Sequence, residues 1–201
     1  MSITTYAELQ TSIGNFLNRS DMTAVIPDFI AIAEAQVQRR VRHWQMEKSD
    51  TIAASSRYSA LPGDFLEPIR LTVDGKHKSL MPMSLNEMSD ERYQSDDTAG
   101  DPEFYAITAG QLELFPTPGA AVTVNIDYYR TIEPLSGSAT SNWLLAEAPD
   151  VYLYGALMQS APYLVDDKRI AVWGALFQSA IEEMQASSDR AKWGGPLRIR
   201  A

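Results

Sequence analysis

Apolar residues recur at three- and four-residue steps near both ends of the chain and at two-residue steps through its middle. The first spacing lines one face of a helix and the second lines one face of a strand. Thr5-Tyr-Ala-Glu8 is a capping box, in which hydroxyl and carboxylate satisfy free backbone donors reciprocally. It predicts a helix with Leu9, Ile13, Phe16 and Leu17 on its inner face. Asn18 to Asp21 reads as a break. Pro27 and Asp28 open a second helix reaching about His43, with Ile30, Ala33, Val37, Val41 and Trp44 as its apolar face. Residues 143–187 read as a helical hairpin. Pro149 and Asp150 suit a first turn, and Val151, Tyr154, Leu157, Met158 and Ala161 follow one stripe. Pro162 ends that helix. Asp166 or Asp167 caps the next, whose stripe is Ile170, Trp173, Phe177, Ala180, Ile181 and Met184. Burial of each large side chain contributes roughly 1.5–3 kcal/mol.

After residue 48 the texture changes. Arg57 to Phe65 holds a strand end and a Pro-Gly turn. Ile69, Leu71 and Val73 alternate with Arg70 and Thr72 as in a half-buried strand. Asp74-Gly75 signals a type I′ hairpin, with a return strand over Lys76 to Met81. Ser84-Leu-Asn-Glu87 is a second capping box and predicts a short helix over 85–93. Residues 94–101 are polar and predict an exposed loop. Phe104 to Phe115 reads as two strands around Ala109-Gly110, and Val122, Val124, Ile126 and Tyr128 mark another. Glu133 to Asn142 is a Pro-, Gly- and Ser-rich link. The expected class is α+β: a helical bundle from 1–48 and 143–187, an inserted antiparallel β region with one short helix over 49–142, and an extended tail over 188–201.

Composition narrows the chemistry. Without cysteine there are no disulfides, thiolate metal sites or thiol nucleophiles. No apolar run is long enough for a membrane span, and the first residues do not resemble a signal peptide, so a cytoplasm-like compartment is expected. The net charge is −9, which disfavours nucleic-acid binding over the general surface but suits a conduit that DNA passes without sticking. The charge is uneven. Arg190, Lys192, Arg198 and Arg200 against Asp189 give residues 188–201 a net +3 and leave −12 elsewhere. A basic tail on an acidic body suggests docking to an acidic partner.

Catalytic groupings are not apparent. There is no Gly-rich phosphate loop, no Gly-x-Ser-x-Gly, and His43 and His77 lack zinc spacing. Neighbouring acids such as Glu182 with Glu183 and Asp166 with Asp167 point in different directions on a helix. Glu113 and Asp127 lie in strands and could face each other, although surface strand charge is the ordinary explanation. Asp96 and Asp97 form a weak cation signal beside the simpler reading of a solvated loop. No cofactor is expected. Arg39, Arg40 and Arg42 read either as a solvated helix end or as a contact with a neighbour or DNA. Trp44, Trp143 and Trp173 read as core. Trp193, among glycines and arginines, reads either as an anchor that orders on a partner or as a residue folded back on the bundle.

Several ordered stretches resemble the head–tail adaptor proteins of tailed bacteriophages. They are Leu61-Pro-Gly-Asp-Phe65, Pro102-Glu-Phe-Tyr-Ala-Ile107, Gly110-Gln-Leu-Glu-Leu-Phe-Pro-Thr-Pro118, Tyr128-Tyr129 with Pro134-Leu135-Ser136, Trp143-Leu-Leu through Leu157, and Leu197-Arg-Ile-Arg200. The resemblance implies a helical bundle with an inserted β region, assembled as a ring, usually of twelve copies, below the portal of the capsid. It implies partners in the portal and in tail or nozzle proteins, a location at the head–tail interface of the virion, and host cytoplasm before assembly. Carried onto this chain, it makes Trp193, Leu197, Arg198, Ile199 and Arg200 portal-docking residues, with Arg190 beside them. Tail type and the tail-side partner stay open. The alternative is a non-catalytic module binding sugar or peptide through the β region.

Overall fold

The computed structural model describes residues 3–76, 78–160, 163 and 169–193. Among them the element order is α1 Tyr6–Leu17, α2 Ile26–Arg40, a 3-10 turn Trp44–Met46, β1 Glu47–Ala54, β2 Tyr58–Ala60, β3 Phe65–Val73, β4 Met81–Pro82, α3 Leu85–Gln94, β5 Phe104–Thr108, β6 Gln111–Phe115, β7 Val122–Arg130, α4 Trp143–Glu147, α5 Pro149–Ser160 and α6 Ile170–Trp193. The fold is α+β. It divides into two compact units, Met1–Gln45 with Ile132–Ala201, and Met46–Thr131.

The first unit is helical. Both bonds of the Thr5–Glu8 capping box form, and Asn18 ends α1 in the left-handed region. Helices α1, α2, α4 and α6 all pack on α5. That is why α5 buries Val151, Tyr152, Leu153, Gly155, Ala156, Leu157 and Ser160, nearly its whole circumference, rather than the single stripe that the spacing suggests. Leu9 and Ile13 of α1, Ile30, Ala33 and Val37 of α2, and Trp173, Phe177 and Ile181 of α6 complete this core.

The second unit holds two sheets. One has the order β1-β7-β3, all antiparallel, with β7 central. The other has the order β2-β6-β5-β4, in which only the short β4 runs parallel to its neighbour. Ile52, Leu71, Val73, Val124, Ile126 and Tyr128 of the first sheet form one core with Leu112 and Leu114 of the second. Because alternate residues face opposite ways, Ala106 and Phe115 turn to the other side and pack with Met88 of α3.

Five local expectations need correction. Phe16 is 51% exposed, outside the inner face of α1. Helix α2 ends at Arg40 because Val41 is extended, so Trp44 leaves the stripe and lies 44% exposed in the 3-10 turn. In β3 the register shifts between Pro68 and Arg70, so Ile69 is exposed and inward alternation begins only at Leu71. Asp74-Gly75 is not type I′, which needs positive φ at both central residues. Only Gly75 has it, and the return past Ser79 is a single bridge to Thr72 before β4 joins the other sheet. The type I′ hairpin is instead Ala109-Gly110, with φ of 48° and 73°. Finally, residues 188–193 are not extended: α6 runs to Trp193, and Ser188 is buried.

Candidate docking surfaces

The helical unit gathers charge at one end. Arg39 and Arg40 occupy the last turn of α2, where cations complement the helix dipole. Arg190 and Lys192 occupy the last turn of α6. Two bonds bring these turns together. The Gln185 amide donates to the Arg40 carbonyl at 3.3 Å, and the Trp44 backbone N–H donates to the Ser188 hydroxyl at 3.0 Å. Behind Trp44 sits His43, fully buried and stacked on Trp143 at 5.0 Å between ring centres. The Gln45 N–H donates to its Nδ1 at 3.3 Å, and Nε2 lies 3.8 Å from the Glu147 carboxylate.

On its other flank the same unit ties α2 to the segment returning from β7. Glu34 Oε1 accepts from the Leu135 N–H and from the Tyr152 hydroxyl, both at 2.8 Å. Asn142 donates to the Tyr152 oxygen at 2.7 Å and caps α4 by accepting from the Leu145 N–H. Gln38 accepts from the Ile132 N–H at 3.2 Å. Burial pushes the Glu34 carboxyl above its ordinary range, although both donors favour its charge. Burial likewise pushes the Tyr152 hydroxyl up.

The β unit carries two polar networks. Glu113, 3% exposed, shares its face with Phe115 and meets the buried Arg92 of α3 at 3.3 Å and Arg57 at 2.8 Å. Arg92 continues to Asp97, to the Thr117 hydroxyl and to the Leu114 carbonyl, with its guanidinium 5.1 Å from the Phe115 ring centre. In the other sheet, Asp64 accepts from the Tyr128 hydroxyl at 2.6 Å and from Lys48 at 2.9 Å. The Tyr128 bond first, then Lys48, holds the Asp64 carboxyl below its usual range, and Lys48 is raised in turn. Ser49 and Arg70 do the same for Asp127. Glu113 and Asp127 therefore do not face each other, since they belong to different sheets with separate cationic partners. A shallow groove of about 790 Å³ crosses Ser49, Arg70 and Asp127 toward Pro82 and Tyr105. Tyr93 stands on the outer face of α3, 90% exposed.

Of the residues that the sequence assigns to docking, Arg190 is exposed on α6 and Trp193 is the last residue of that helix. Leu197, Arg198, Ile199 and Arg200 lie outside the described residues, as do Ala161, Pro162, Asp166 and Asp167. Asp97 is engaged by Arg92, and among the described residues no three His, Cys, Asp or Glu side chains gather as a metal would require. Glu182 and Glu183 each accept from their own helix, from Gln178 and Ser179. Sequence spacing gave no sign of the Glu34–Tyr152 or Arg92–Glu113 networks, because their members come from separate elements. Among the described residues no helix is long and apolar enough to cross a membrane.

Helices from both ends of the chain thus surround α5, and the β unit is inserted between them in sequence. The family model described as SU10 adaptor protein matches residues 4–200, and the chain belongs to that family of phage adaptor proteins. The role is structural, in association with the portal and tail components of the virion. A search among curated proteins finds no match to the chain.

Proposed function

We propose that the protein forms a ring of about twelve copies beneath the portal, extends the DNA channel and offers the platform on which the tail is built. The observation that carries this reading is the family match across residues 4–200. The distribution of charge supports it. The β unit holds seven Lys and Arg against fourteen Asp and Glu, whereas the helical unit is nearly balanced at ten against twelve. An acidic wall repels the phosphate backbone and lets DNA slide. The chain performs no chemistry in this role; it positions other proteins. Residues 194–201, which bear Leu197, Arg198, Ile199 and Arg200, reach to the portal, with Arg190 and Trp193 at their root. Removing 194–201 spares α6, so the truncated chain should fold normally yet fail to join purified portal rings or support tailed particles. Normal assembly with the truncated chain would overturn the docking assignment, and particle images without a ring at the portal would overturn the function.

A further inference from the structure

Arg190 lies far in sequence from Arg39, Arg40 and Trp44 but shares one end of the helical unit with them. All four are exposed, Trp44 to 44%. None of the three arginines has an ion pair among the described residues. Helix dipoles account for cations at the two helix ends but not for an exposed indole between them. Tryptophan and arginine are the side chains that most often carry the energy of a protein–protein contact. Their backbone supports are also firm. Trp44 is pinned through its N–H to Ser188, and buried His43 precedes it against Trp143. Ser188 stands two residues before Arg190, and α6 ends at Trp193, where the proposed docking segment begins.

We infer that Arg39, Arg40, Trp44 and Arg190 form a preformed, folded half of the portal-docking surface, recognising an acidic protein face on the portal. This rests on the adaptor reading. This half supplies orientation, since its arginines sit on the last turns of α2 and α6 and Trp44 is held by its backbone bond to Ser188. An acidic protein suits the patch better than duplex DNA. A duplex presents one phosphate charge per about 1.7 Å and rewards a long cationic track. This patch is compact, centred on an aromatic, and belongs to a chain of net charge −9.

The test uses the full chain and purified portal rings from the same virion, with R39E/R40E, R39S/R40S, W44A and the 194–201 deletion, each checked by thermal melting. Wild type should bind, the deletion should not, and R39E/R40E should weaken binding by about tenfold or more while lessening its salt dependence. R39S/R40S should fall between, so a charge-reversal variant that misfolds still leaves a reading. Unchanged binding by R39S/R40S and W44A would overturn the inference, while loss on deletion keeps the adaptor reading standing. Failure of wild type to bind the portal would overturn both. Binding of a DNA duplex by wild type that is lost in R39E/R40E would assign the patch to nucleic acid and overturn the inference as well.

Discussion

A Cβ added at Gly155 would lie 2.9 Å from Cε2 of Phe177 and 3.0 Å from Cβ of Ala33. Three helices thus meet at the one position of α5 without a side chain. The missing methyl lets α2 and α6 close on α5 from two sides, and Phe177 is itself 1% exposed and unable to swing away.

Gly155→Ala tests that closeness. Alanine is the better helix former by about 1 kcal/mol, so an open site would gain stability. Here the clash with a packed ring and a backbone-proximal methyl should outweigh it, with a net loss of about 1–3 kcal/mol as for overpacked cores. Chemical denaturation would measure it. Glycine at 174, whose added Cβ would meet only the Met158 sulfur at 3.8 Å, is the control, and Gly174→Ala should be neutral or stabilising.

Glu34 in the helical unit and Asp64 in the β unit should contribute to the pH dependence of stability with opposite sign. The Glu34 carboxyl is raised in the folded protein, so the native state keeps a proton that the unfolded state has released, and its contribution to stability declines as pH rises through the ordinary glutamate range. Glu34→Gln retains an acceptor for Leu135 and Tyr152 and removes the titration. Wild type should therefore lose ground to Glu34→Gln as pH rises through and above the ordinary glutamate range. The Asp64 carboxyl is lowered, mainly by Tyr128, so its contribution is present above the ordinary aspartate range and is lost as pH falls through the folded value. Wild type should be more stable than Asp64→Asn near neutrality, and the gap should close on acidification. Unfolding free energies across a pH series check both. Two curves of the same slope would contradict the assignments.

Arg92 and Glu113 make an ion pair in which both side chains are almost wholly buried. Removing one side of such a pair typically costs about 3–5 kcal/mol, because the other charge is left desolvated. Glu113→Ala should fall near the lower end, since Asp97 and Thr117 continue to hold Arg92. The double variant Arg92→Met with Glu113→Leu should be closer to wild type than Glu113→Ala alone, as replacing both charges avoids the orphan. A double-mutant cycle by urea unfolding separates these cases, and simple additivity would show that the pair is not coupled.

What was legible in the sequence was local. Both capping boxes, the alternation of β7 and the stripe of α6 from Trp173 to Met184 each lie within one element, and the backbone forms them as spelled; Ile170 falls outside that stripe, 42% exposed. What was not legible depends on neighbours distant in the chain. Tyr152 looks like one more residue beside an apolar stripe until Glu34, 118 residues away, is placed against its hydroxyl. Trp44 continues the spacing of α2, yet the helix stops four residues earlier and its backbone bonds to Ser188 instead. Arg190 and Arg39 stand as separate features of the sequence for the same reason. The alternation around Ile69 failed through a register shift, which hydrophobicity alone does not encode.

The hairpin between β5 and β6 offers a last and sharper test of turn chemistry. Ala109 and Gly110 both hold positive φ, with Thr108 paired to Gln111 on either side. That is the two-residue type I′ turn, whose favoured first residues are Asn and Asp. Alanine lacks a side chain that can bond locally, and the left-handed region costs an ordinary L-residue about 1–2 kcal/mol. Ala109→Asn should therefore stabilise the β unit by about 0.5–1 kcal/mol without touching any core contact. Ala109→Val, β-branched and intolerant of this region, should destabilise it by at least as much. Glycine should gain less than asparagine, because its unfolded chain has more freedom to lose. Thermal unfolding of the three variants, ranked Asn above Gly above Val, checks the turn; a flat ranking would mean that the backbone at 109 relaxes out of the left-handed region when alanine is replaced.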